Sequence, residues 1–431
     1  MTIMGYNNLS AEQAREQLDM LIGEYNSFKE MGLKMDMSRG KPCAQQLELA
    51  NDIFSTIDGN YISAAGVDSR NYGEPTGLGE MKVIFADILG VAPENVIVGG
   101  NSSLNMMYDT ISRAMTHGVA RSAQPWGSYE KIKFLCPVPG YDRHFALTQH
   151  FGIEMINVPM TESGPDMDVV EQLVCDDESI KGMWCVPVYS NPGGAIYSDE
   201  VIARLAKMRC AAEDFTIMWD NAYAVHHLYG SGPVMTDILV ECAKAGNAER
   251  VIMFASTSKI TFSGSGVACV AGSQDTLAAY KISLFLQTIG YDKVNQLVHA
   301  RFLKSSDGVA EHMAKHAAIL RPKFKIVDDI LSESLDGLGI ASWTKPIGGY
   351  FINLITPKNT ASRIVQLCAE ANVVLTPAGA AFPYGNDPDN NNIRIAPTFP
   401  GEDELRNATQ LLSVCVRIAA LEMIMNGGTE G

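Results

Sequence analysis

Positive charge is scarce in this chain of 431 residues: 33 Lys and Arg stand against 49 Asp and Glu, for a net charge of −16. A nucleic-acid surface needs clustered lysine and arginine, so a nucleic-acid partner is not expected. No apolar run of about 20 residues occurs, and no membrane span or membrane partner is predicted. Met1–Asn8 has neither the basic start nor the apolar core of a signal peptide, and the nine cysteines form no Cys-x-x-Cys pair. Reduced, mostly buried thiols in a cytoplasmic protein follow. Metal ligation is not expected either. His312-x-x-x-His316 has ligand-like spacing, but no glutamate follows the first histidine as a zincin requires, so the pair reads as a solvated helix face. One further absence is local: no arginine lies between Val251 and Ala300.

What is present is a long alternation of short apolar runs and helical stretches from about residue 60 to about 300, the doubly wound α/β signature. Seven strand candidates fall at Val96, Phe134, Met155, Met183, Ile217, Ile252 and Val267. Before them, Leu18, Leu21, Ile22, Tyr25 and Phe28 repeat at helical spacing over Ser10–Met31, with Ser10 and Gln13 placed as a capping box and Gly32 at the end. After them, Gln296–Asp329 reads as largely helical, Pro346–Leu354 as a strand, and Glu402–Met425 as an amphipathic helix ended by Gly427 and Gly428. The expected division is an N-terminal segment 1–59 that joins a small α+β domain at 311–431, with a large domain at 60–310.

Three of the strand candidates end in groups able to do chemistry. Met183–Pro187 leads to Asn191, Phe215–Met218 leads to Asp220 and Tyr223, and Val251–Ala255 leads to Lys259. In an open parallel sheet, ligands bind at the carboxyl ends of strands. A lysine delivered there among hydroxyl residues and followed by the small Ser263–Gly266 is placed for a Schiff base: desolvated, with space for a bulky cofactor. Each piece has a plainer reading. Asp220 could cap a helix, Asn191–Gly194 could be a turn, Gly100–Ser103 an ordinary helix start, and Lys259 a solvated loop lysine. Their occurrence together, in this order, favours the chemical reading.

That set resembles the fold-type-I pyridoxal-phosphate enzymes, specifically the class I aminotransferases. The resemblance implies a large domain with a seven-stranded, mostly parallel sheet, the last strand antiparallel. It also implies roles. Lys259 would carry pyridoxal 5'-phosphate, Asp220 would pair with its pyridine nitrogen, Asn191 and Tyr223 would bond its phenolic oxygen, and Tyr141 of Pro137–Tyr141 would stack on its ring. Gly100, Asn101, Ser102 and Ser103, after the Val96–Val98 run, would hold the phosphate with Ser256 and Ser258, joined by Tyr72 from a second copy in a homodimer. Arg394 in Asn392–Ala396 would grip the substrate carboxylate, with Asn191 and Gly40 also on the substrate side.

Two features depart from the common pattern, the first being Gly193, where the family usually has Thr or Leu. The position eight residues after Lys259, where most class I members have a phosphate-binding arginine, is Val267. A divergent aspartate-aminotransferase-like subgroup related to the aminotransferase domain of the MocR regulators shows a similar Ser258–Gly266 pattern and an early Arg39-Gly40-Lys41-Pro42. The resemblance implies transfer of the amino group of L-aspartate to 2-oxoglutarate. Alanine, aromatic or other amino donors, or a lyase on the same scaffold, remain open alternatives. A ligand-sensing regulator would need a DNA-reading helix, and residues 1–59 offer no basic one. A dicarboxylic substrate needs a second cation, for which Arg39, Lys41, Arg143, Lys293 and Arg301 are candidates.

Overall fold

The seven expected strands occur as Val96–Val98, Lys133–Val138, Glu154–Thr161, Ile180–Cys185, Thr216–Asp220, Val251–Ser256 and Ala268–Gly272 in the computed structural model, which describes residues 5–427. The sheet holds eight strands rather than seven, because Gly164–Pro165 turns back antiparallel on the end of Glu154–Thr161. That two-residue hairpin carries no hydrophobic period and leaves no trace in the pattern. Across the sheet the order is Val96–Val98, Ala268–Gly272, Val251–Ser256, Thr216–Asp220, Ile180–Cys185, Lys133–Val138, Glu154–Thr161, Gly164–Pro165. Only Ala268–Gly272 and the hairpin strand run against the rest.

The central strands read as unbroken apolar runs because both faces are covered. Met183, Ile217, Trp219 and Met253 point into one core, while Trp184, Met218, Ile252 and Phe254 point into another on the opposite face. Consecutive residues thus alternate between two dry layers, and neither layer leaves a polar face to mark the period.

A third core joins the two ends of the chain. Leu21, Tyr25, Met35 and Met37 pack with Leu320–Leu335 and Leu405–Leu421. Met35–Asp36 pairs with Val373–Val374, and the Tyr25 hydroxyl donates to the Leu367 carbonyl at 2.8 Å. The helix Ala11–Glu30 starts with the expected capping box, Ser10 and Gln13 satisfying each other's backbone N–H. Glu402–Met425 is long and apolar enough to cross a membrane, yet 67% of its most apolar window is buried in this core, which accounts for its composition. Gly428 lies outside the described residues.

One expected helical stretch carries a break, and one expected strand is shorter than its sequence suggests. Gln296–Asp329 belongs to two helices, Lys293–Leu303 and Ser306–Leu335, broken at Lys304, whose φ of 66° is left-handed. Of Pro346–Leu354, only the stretch from Ile352 is strand. Gly348 and Gly349 instead press on Tyr189, where a Cβ on Gly348 would come within 2.2 Å of the ring. The strand Ile352–Ile355 lies between Ser342–Trp343 and Asn392–Ile395, which places Arg394 beside Asn353.

Candidate active site

The carboxyl edge of the parallel strands gathers most of the expected residues. Asp220 closes its strand fully buried. One carboxylate oxygen, Oδ2, lies 3.1 Å from His144 Nε2, and the other, Oδ1, is buried with no hydrogen-bond partner. A dry, unpaired carboxylate oxygen is costly. A protonated ring nitrogen would donate to this oxygen, so the residues present fit pyridoxal phosphate.

His144 was not legible as a site residue, although its place three residues after Tyr141 on the helix Asp142–His150 puts both on one face. Its ring stacks on Trp184 at 4.2 Å with an 8° tilt and meets Tyr141 edge-on at 4.9 Å. Trp184 is itself fixed by donating to Thr148 at 2.8 Å. The imidazole therefore has one orientation, and Asp220 is held by it.

Lys259 Nζ lies 5.0 Å from the Tyr223 ring centroid. Burial pushes the lysine pKa down, opposed by Asp220. Burial also pushes the Tyr223 phenol well above its ordinary value, aided by Tyr141 and Asp220, so the group is a proton donor at neutral pH. Three buried histidines surround the lysine's backbone. His226 Nε2 sits 3.3 Å from the Lys259 carbonyl and His312 Nε2 sits 2.7 Å from the Ile260 carbonyl. His316 stands 3.1 Å from His312 and accepts from Gln46 Nε2 at 3.0 Å, while Gln46 also donates to Tyr350.

His312 and His316 are thus not a solvated face. They point inward because the helix Ser306–Leu335 packs on both sides, and the second packing surface could not be read from spacing. Burial lowers the pKa of all three, that of His316 to about 4. Among the described residues no cluster of His, Cys, Asp and Glu could hold a metal.

At the other edge of the site, Arg394 is buried over the Phe351 ring, 4.9 Å from its centroid. Its Nη1 donates to Asp142 at 2.8 Å and to Asn191 Oδ1 at 3.4 Å, and its Nε donates to Thr376 at 3.4 Å. Gly40 lies against the same Phe351 ring, where a Cβ would be 2.4 Å from a ring carbon. Asn191, Arg394 and Gly40 are therefore brought together, and Asp142 and Phe351 join them without a signal in the sequence. Two of the five candidate cations are committed elsewhere. Lys293 donates to the Gly73 carbonyl, and Arg301 to the carbonyls of Thr56, Asn60 and Ile62. Arg39, Lys41 and Arg143 are exposed.

The expected phosphate loop stands where Val96–Val98 turns into the helix Ser103–His117. Ser102 caps that helix, accepting from Asn105 N at 3.3 Å, so its hydroxyl oxygen already has a partner. Ser256 donates to Ser258 at 3.1 Å. The two loops converge at Gly266, where a Cβ would lie 2.8 Å from the Asn101 carbonyl and 3.3 Å from Ser258 Oγ. Val267 is core, its N–H bonded to Thr257 at 3.0 Å. Tyr72 is 82% exposed.

A central sheet with helices on both faces, and with lysine, aspartate and asparagine at its carboxyl edge, is the architecture of the fold-type-I aminotransferases. Residues 9–427 match the aspartate amino-transferase family, and the chain belongs to that family and is an aminotransferase. The aspartate aminotransferase of Corynebacterium glutamicum is 46% identical over 94% of this chain and 93% of its own length. A Mycolicibacterium smegmatis protein, provisionally named an aminotransferase, is 48% identical over 98% of this chain and 99% of its own. The crystal structure of an aspartate transaminase from C. glutamicum superposes with a TM-score of 0.95, at 44% identity over 98% of this chain and 99% of that one. The α-aminoadipate aminotransferase of Thermus thermophilus, at 19% identity over 94% of this chain and 95% of its own, shares the fold with a TM-score of 0.73.

Proposed function

We propose that this aminotransferase moves the amino group of L-aspartate to 2-oxoglutarate, using pyridoxal 5'-phosphate bound at Lys259. The buried, unpartnered Oδ1 of Asp220 carries the cofactor part of this reading. Bound there, pyridoxal phosphate supplies an electron sink for breaking the substrate Cα–H bond. Asp220 keeps a proton at the ring nitrogen, and His144 keeps Asp220 in place. Asn191 and Tyr223 would bond the phenolic oxygen, and Tyr141 would pack on the ring. The Gly100–Ser103 backbone with Ser256 and Ser258 would hold the phosphate at a helix N-terminus. Lys259 Nζ, whose pKa burial pushes down, would take the Cα proton and return it.

Aspartate is supported by the Corynebacterium relatives and by two exposed cations, Arg39 and Lys41, that flank the glycine touching Phe351. Within the family, the Arg39–Pro42 and Ser258–Gly266 segments favour the subgroup related to the MocR aminotransferase domain. Two units meeting near residues 59 and 310, and a cytoplasmic homodimer, complete the proposal. The dimer accounts for exposed Tyr72 and for a neighbouring apolar patch of Ile282, Phe285, Leu286 and Ile289. Lys293 joins the two regions through the Gly73 carbonyl.

Borohydride reduction of the purified, yellow protein should leave the cofactor on the Lys259 peptide, and a label on another lysine overturns the assignment. An amino-donor panel with 2-oxoglutarate should rank aspartate first in kcat/KM. A higher value for alanine or phenylalanine refutes aspartate and leaves transamination standing.

A further inference from the structure

A guanidinium that is to grip a carboxylate through two parallel hydrogen bonds needs two adjacent N–H donors free. Arg394 does not present that fork. Its Nη1 is engaged by Asp142 at 2.8 Å, with Asn191 Oδ1 at 3.4 Å, and its Nε faces Thr376 at 3.4 Å. Among the described residues Nη2 alone makes no hydrogen bond, and it is not buried dry. The partner already in the fork is itself a carboxylate.

The pair is asymmetric: the Arg394 side chain is 6% exposed and that of Asp142 is 35%. Arg394 could not lose its counter-ion without leaving a buried charge uncompensated. Asp142 can leave at lower cost, since it already reaches water. It is also the first residue of the helix Asp142–His150, so the helix terminus favours its negative charge whether or not the arginine is attached. Moving Asp142 into water therefore costs little for Asp142 itself, and it leaves the buried Arg394 charge in need of another anion.

Resting on the reading of Arg394 given above, we propose that Asp142 is a placeholder for the substrate α-carboxylate. Substrate then binds by anion exchange, with Asp142 swinging to solvent as the incoming carboxylate takes Nη1 and Nη2. The device keeps the buried cation neutralised in the empty enzyme and holds off inorganic anions. Its cost falls on every amino acid and oxo acid alike, because all carry the group that must displace Asp142.

The test is calorimetric titration of the holoenzyme, and of the cofactor-free protein, with two unreactive ligands: propionate with one carboxylate and succinate with two. Asp142→Asn keeps a hydrogen-bonding oxygen at the arginine but removes the charge. It should tighten both ligands by the same factor, about tenfold, the margin of a charge-assisted over a neutral hydrogen bond. KM values for aspartate and alanine should fall in parallel. Asp142→Ser, which also removes the charge but is too short to hold the arginine, must agree, so that a folding defect in one variant is recognised. Unchanged or weaker binding of both ligands means Asp142 is only a strut for Arg394, and the proposal falls. Tightening of succinate alone places Asp142 at a second carboxylate subsite, which also overturns it. Arg394→Gln separates this failure from that of the underlying reading. If it weakens propionate while Asp142→Asn does nothing, only the exchange is wrong; if it leaves propionate unaffected, Arg394 is not the carboxylate site and both readings go.

Discussion

The two ends of the candidate cofactor site are built from different materials. At the ring end, charged and aromatic side chains on strands and on one helix face are locked by each other: Trp184 fixes His144, and His144 fixes Asp220. At the expected phosphate end Val267, in the core, stands where the usual arginine would be, and glycine, backbone and hydroxyls on two loops meet at Gly266. The ring end must hold one proton in a dry place, which takes a single well-oriented carboxylate. The proposed phosphate end would spread its binding over several weak donors. Losses should therefore be concentrated at the first and diffuse at the second.

The largest effect is expected at Asp220. Asp220→Ala should slow single-turnover Cα deprotonation by roughly 10²–10⁴-fold, the range associated with a positioned proton-transfer group, while the cofactor stays bound. Asp220→Asn should be nearly as slow, since it can bond the ring nitrogen but not keep it protonated. A near-normal rate in either variant would move this role to another residue.

Restoring the family's arginine should fail. Val267→Arg would place an unpaired charge in a dry core and cost about 3–5 kcal/mol, read as a drop in the denaturation midpoint. If the variant keeps its stability and binds cofactor more tightly, the position faces the phosphate after all.

The histidines behind Lys259 make stability depend on acid. His316 titrates at about 4 when folded and near its ordinary 6.5 when unfolded. The unfolded chain therefore binds more protons between these values, and stability falls as pH drops from 6.5 to 4. A shift of this size is worth roughly 3 kcal/mol by the low end of the window. His226 and His312, also pushed down by burial, act in the same direction. Urea titrations at pH 7 and pH 5 should show the loss, and His316→Gln should reduce it. Equal pH slopes in the two proteins would mean His316 is solvated.

The smallest effect is expected from a single phosphate-end hydroxyl. Ser258→Ala should weaken cofactor binding by about 1 kcal/mol, close to fivefold in Kd. A loss comparable to that of Asp220→Ala in rate would erase the contrast between the two ends.

Most strand positions were legible because the runs are apolar and punctuated by polar or glycine residues. The Gly164–Pro165 strand was not, since two residues carry no period. Lys259, Asp220, Asn191 and Tyr223 could be proposed together because strand-end position is encoded locally. His144 could have been suspected from its helical spacing to Tyr141. His312 and His316 were read as facing water because spacing identifies a helix face but not what covers it, and here two cores cover the helix.

Local sequence determined the order of strands and helices, the capped first helix and the delivery of lysine, aspartate and asparagine to strand ends, because hydrophobic period and turn chemistry act over a few residues. Tertiary structure alone decided what occupies Arg394. Asp142 and Arg394 are separated by 252 residues, and they meet only because the third core sets Asn392–Ile395 beside the carboxyl edge of the large sheet. Whether a charge is paired, buried or free is fixed by what packs around it, and such packing partners come from anywhere in the chain.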